Sequence, residues 1–133
     1  MKKLWMPVVA ALFAVALANA GGTAWAIKPF ETEWKKTYYK PDGTAEEKKL
    51  AAAVDAITTG EGDNKSSCNI CHMGSSKKMR NAYGVALDAL LDKAKDKADT
   101  KKMDEAFKTV EGEKSPGGKT FGELIKAGEL PGK

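Results

Sequence analysis

Five consecutive residues, Cys68-Asn69-Ile70-Cys71-His72, hold both cysteines and the only histidine of this 133-residue chain. That concentration limits what a small fold can lean on. No other cysteines exist to staple a core with disulfides. A structural zinc site needs four ligands, and the stretch offers two thiolates and one imidazole. A redox dithiol of the thioredoxin kind sits on a strand–helix unit, and no segment shows the sustained two-residue alternation of a strand. A plain disulfide between the two cysteines would leave His72 without a role.

One chemistry uses all three side chains at this spacing. Cys-x-x-Cys-His is the attachment signature of c-type haem. The thiols of Cys68 and Cys71 form thioether bonds to the two haem vinyl groups, and His72 follows where its imidazole can bind the iron from one side. The expected cofactor is therefore one covalently attached haem c, with Cys68 and Cys71 binding the macrocycle and His72 as proximal iron ligand. A macrocycle also answers a problem of size, because a small domain is short of buried apolar surface.

The N-terminus reads as a secretory signal peptide: Lys2 and Lys3, then the apolar run Leu4 to Leu17, then small residues. The run ends at Asn19 and Gly21-Gly22, short of the roughly 20 residues of a spanning helix. Cleavage after Ala26 leaves a single domain over 27–133; cleavage after Ala20 also fits the small-x-small rule. The expected location is periplasmic or otherwise exported, with no stable membrane insertion after cleavage. The formal net charge is +4, and either cut removes two lysines and no acid. Bulk charge then gives no reason to expect nucleic acid as a partner.

The remainder reads as all-α, four to five helices around one haem. Pro29 suits the start of a helix, and Phe30, Trp34 and Tyr38 recur on one face of it, as plain core or packed on the haem. Pro41-Asp42-Gly43 forces a turn. Thr44-Ala45-Glu46-Glu47 is a capping box opening a helix with Leu50, Ala53, Val54 and Ile57 on one side, ending near Gly60. Glu61 to Ser67 reads as a loop. Ser75 or Ser76 is the expected cap of a third helix, with Met79, Tyr83, Ala86, Leu87, Leu90, Leu91 and Ala94 along its stripe. Asp92 to Lys102 alternates in sign, the pattern of a solvated turn. Asp99 or Thr100 opens a helix carrying Met103, Ala106, Phe107 and Val110. Thr120-Phe121-Gly122-Glu123 is a second capping box, with its short helix stopping at Gly128.

The far side of the iron is the open question. A second histidine does not exist, and methionine is the usual alternative where haem carries electrons. Met73 adjoins the proximal ligand, and the position of Met79 is explained by packing. Met103, on a separate helix, is the candidate distal ligand, though its neighbours Phe107 and Val110 equally make it core. Lys77, Lys78 and Arg80 would oppose the dipole of the helix they are expected to begin. Haem propionates, an acidic partner at the haem edge, or water alone could offset them. Gly84 costs about 1 kcal/mol in a helix relative to alanine, which points to a close approach by haem or another helix.

With these residues in view, the chain resembles the small, exported, single-haem bacterial c-type cytochromes. The specific part of that resemblance is Cys68-Asn69-Ile70-Cys71-His72; the signal peptide and the helical remainder agree in kind. It implies haem c, thioethers at Cys68 and Cys71, proximal ligation by His72, and electron transfer. Two departures stand out: residues 27–67 precede the motif, which most class I members place near the mature N-terminus, and Met103 comes sooner than their methionine. The expected function is a soluble one-electron carrier and not an enzyme, working with redox partner proteins that dock near Lys77, Lys78 and Arg80. The alternative is a haem module with an open distal site that binds or senses a small gas. A peroxidase is disfavoured, since no distal histidine exists for acid–base work.

Overall fold

A computed structural model describes residues 28–59, 66–74 and 78–133. The signal segment and its cleavage sites, Gly60, most of the loop before the motif, Ser75, Ser76 and Lys77 lie outside the described residues. Within them the protein is all-α: α1 (Lys28–Tyr38), α2 (Ala45–Thr59), a 3₁₀ turn (Ser67–Ile70), α3 (Ala82–Leu90), α4 (Thr100–Glu111) and α5 (Phe121–Lys126).

Helix α4 is the hub, packing against α1, α3 and α5, while α2 covers the 3₁₀ turn and touches α1 and α5. Its sequence explains this role. Met103, Ala106, Phe107 and Val110 recur at helical spacing and are all buried, giving a stripe wide enough to face several neighbours. Asp99 starts the helix by accepting the Lys102 amide at 2.9 Å, which satisfies one of the donors a helix N-terminus leaves open. From α1 comes Trp34, buried, with its ring 5.1 Å from that of Tyr38, which in turn meets Phe107 edge-on at 6.2 Å. The Trp34 Nε1–H donates to the Tyr83 hydroxyl at 3.0 Å, so two large aromatics are buried with their polar atoms satisfied.

Both expected capping boxes form. The Glu47 amide donates to Thr44 Oγ1 at 3.3 Å and the Thr44 amide to Glu47 Oε2 at 2.8 Å; Thr120 and Glu123 repeat the exchange at α5. Helix α5 ends in a Schellman turn, with the Glu129 amide on Leu124 O at 2.9 Å and the Gly128 amide on Ile125 O at 3.0 Å. Gly128 takes φ 71° there, the left-handed conformation that favours glycine.

The third helix departs from expectation. It begins at Ala82, capped by Asn81, and not at Ser75 or Ser76; it ends at Leu90 and not near Ala94. Asparagine is among the strongest caps, and Asn81 Oδ1 accepts the Gly84 amide at 2.9 Å. Among the described residues before it, His72 stands opposite Arg80 in an antiparallel bridge. Lys78 and Arg80 therefore lie before the helix and not in its first turn, and Met79 is 55 % exposed, off the apolar stripe. The turn after Leu91 is mostly exposed as expected, but Asp96 is buried in it, its carboxylate accepting Lys102 Nζ at 2.6 Å and the Asp92 amide at 2.8 Å.

Candidate functional site

The motif enters the fold through a tight turn. Ser66 caps it, its hydroxyl accepting the Cys68 amide at 3.1 Å, and the Cys68 carbonyl accepts the amides of Cys71 at 3.1 Å and His72 at 2.9 Å. In a 3₁₀ turn residues three apart eclipse one another. The Cys68–Cys71 spacing therefore sets both side chains towards one side. Ile70, between them, is buried in the main core and anchors the turn.

Helix α3 is tied directly to this turn. The Asn81 amide donates to Cys71 O at 3.0 Å, and Asn81 Nδ2 donates to Ile70 O at 2.9 Å. Gly84 allows the contact: a Cβ there would lie 2.0 Å from Cys71 O. The close neighbour is the backbone of the motif turn, and not another helix.

These elements line an open cleft with about 620 Å³ of empty space, its open mouth included. Cys68, Cys71 and His72 all line it. Phe30 and Trp34 come to it from α1, Leu87 from α3 and Phe107 from α4, with Leu91 just beyond α3. Its wall is mainly apolar, with Glu31, Arg80, Asp88 and Lys93 as the charged members. His72 is 6 % exposed. Cys71 carries a free thiol, so no disulfide closes the motif. Burial pushes that thiol up to about 12, with Cys68 and Glu31 adding to the effect, and it stays protonated at neutral pH.

At the other end of the motif Glu31 meets Ser67, whose hydroxyl donates to Glu31 Oε1 and accepts from Lys35 Nζ at 3.1 Å. Lys35 also pairs with Glu31 at 3.1 Å, and Cys68 Sγ lies 4.0 Å from Glu31 Oε2. Burial raises the Glu31 carboxyl, but the hydrogen bonds from Ser67 and Lys35 and the lysine charge outweigh it and hold the group below the usual carboxylate range.

The methionines fall elsewhere. Met103 is 1 % exposed within the main core and is not part of the cleft wall, although Phe107, one turn on, is. Met73 and Met79 are both exposed. Asn81, Asp88, Lys93 and the Glu31–Ser67 pair were not singled out in the sequence. Asn81 alone carried a signal, an asparagine directly before an apolar helical run.

Among the described residues, no group of three or more His, Cys, Asp or Glu side chains is placed to hold a metal ion by itself. The motif supplies the donor set of attached haem, two cysteine sulfurs and one imidazole lining one apolar cleft, and so fits that group. Comparison with family models, curated proteins and solved structures finds no match to this chain.

Proposed function

We propose that the protein is an exported monohaem c-type cytochrome acting as a soluble one-electron carrier. The observation that carries this reading is that Cys68, Cys71 and His72 all line one apolar cleft. Cys68 and Cys71 would hold haem c by thioethers, and His72 would be the proximal ligand. Bound there, the haem supplies a reversible ferrous–ferric couple, while the protein tunes it by ligation, burial and hydrogen bonding. Phe30, Trp34, Leu87, Leu91 and Phe107 would give it an apolar surround. Their low dielectric disfavours net positive charge and thus favours the reduced state. Met103 is the proposed distal ligand, one turn from Phe107 on α4. Redox partners with acidic surfaces would dock near Lys77, Lys78 and Arg80, of which Lys78 is exposed.

A second reading draws on one observation: among the described residues, no methionine lines the cleft. It makes the protein a haem module with an open distal position for a small gas. Absorption spectra of the purified oxidised and reduced protein, with and without carbon monoxide, separate the two. The carrier shows a methionine–iron band that Met103→Ala abolishes, and does not react with carbon monoxide. Ready carbon monoxide binding selects the open site. Absence of covalent haem after expression with haem-attachment machinery overturns both.

A further inference from the structure

We propose that Arg80, with Asp88 as its counter-ion, is a positioning residue that sets the reduction potential of the centre held by His72; this rests on the haem reading above. His72 and Arg80 stand opposite each other in an antiparallel bridge. The bonds framing them, Met73 N–H to Met79 O at 2.9 Å and Asn81 N–H to Cys71 O at 3.0 Å, make them a non-hydrogen-bonded pair. Such pairs bring the Cα atoms to about 4.5 Å and their side chains closest together, on one face of the ladder. Both line the cleft. The adjacent pair, Met73 and Met79, is 47 % and 55 % exposed, as alternation to the opposite face requires.

Arg80 is then fixed by its partner. Its Nη2 lies 2.8 Å from Asp88 Oδ1, and its side chain is 25 % exposed against 41 % for Asp88. The cation is the better shielded of the two, so solvent and salt screen its field less. A guanidinium does not lose its proton in proteins, and the charge beside the proximal imidazole is constant across the working pH range. A fixed positive charge there disfavours the ferric, more positive state of the iron. Asp88 acts in the opposite sense.

The test is a set of variants expressed with haem-attachment machinery, each first checked for covalent haem by mass and by its alkaline pyridine spectrum. Midpoint potentials are then measured by spectroelectrochemical titration. Arg80→Gln is expected to move the ferrous-to-ferric ratio at fixed potential towards ferric by about threefold or more, the effect of one lost charge in a partly solvated setting. Asp88→Asn is expected to move it towards ferrous. Arg80→Lys, which keeps the charge, should restore most of the parent value. Lys101→Gln makes the same charge change on the exposed side of α4, away from the cleft, and should leave the potential in place. If haem is attached but Arg80→Gln and Asp88→Asn shift the potential in the same direction or not at all, the proposal is overturned. A parent protein without covalent haem would overturn the haem reading itself, and the mass measurement tells that failure apart.

Discussion

Gly84→Ala sets two effects of opposite sign against each other. In an ordinary helix the change gains about 1 kcal/mol from backbone propensity. Here the new methyl would lie 2.0 Å from Cys71 O and 2.9 Å from Cys71 C. Both are backbone atoms and cannot swing aside as a flexible side chain would. Forcing extra volume into a packed contact costs about 1–3 kcal/mol. Separating α3 from the motif also weakens the two Asn81 bonds, to Cys71 O and Ile70 O, each worth about 0.5–1.5 kcal/mol. The losses exceed the gain, and a net destabilisation of about 1–4 kcal/mol is expected. Gly112→Ala is the control: its φ is −78° and the nearest atom to a new Cβ, Thr109 O, is 3.5 Å away. That change should leave stability level or raise it by about 0.4–1 kcal/mol. Urea unfolding of both variants, compared at the midpoint, decides the matter. A Gly84→Ala protein at least as stable as the parent would refute the claim that α3 is pressed against the motif.

Other substitutions probe the same framework. Asn81→Ala removes both the cap on Gly84 N–H and the tether to Ile70 O, and is expected to cost about 1–3 kcal/mol in urea unfolding; Asn81→Ser, which keeps a cap acceptor, should cost less. Trp34→Phe takes the indole donor from the buried Tyr83 hydroxyl and should lower stability by about 1–3 kcal/mol in the same assay. Glu31 makes a pH prediction. Its folded-state pKa is depressed below the ordinary 4.5, so the stability it contributes is fully present above that value and is lost as pH falls through the folded pKa. Unfolding midpoints measured across that acid range should drop for the parent, and Glu31→Gln should flatten part of the drop. An unchanged slope would contradict the assigned Glu31–Ser67–Lys35 network.

The helices that were legible in the sequence are those whose ends are written locally. Thr44–Glu47 and Thr120–Glu123 satisfy helix donors with side chains three residues away, and both behave as read. Asp99 and the stripe from Met103 to Val110 are local in the same sense. The third helix was misplaced because its start depends on partners distant in sequence. Serines at 75 and 76 compete with Asn81 for the cap, and Asn81 also bonds the carbonyl of Ile70. Propensity alone does not contain that bond. The placement of Met79 followed the same error, since a stripe drawn from a helix beginning too early sends its first residue inward.

The cleft was legible only in its first half. Spacing singles out Cys68, Cys71 and His72 because all three fall within five residues, and all three line the cleft. Its opposite walls come from three helices, and no periodicity reveals which of two buried stripe residues faces a cleft and which faces its neighbour: Phe107 lines it and Met103 does not. The displaced start of α3 has a chemical consequence as well. Were residues 77–81 helical, Arg80 would lie on a helix turn, its charge opposed to the dipole. Outside the helix, the same residue sits across from His72 in an antiparallel bridge. Its counter-charge comes from Asp88, two turns into the helix that begins just after it. The feature that made the sequence reading fail is thus the one that sets a permanent charge across from His72, on the lining of the cleft.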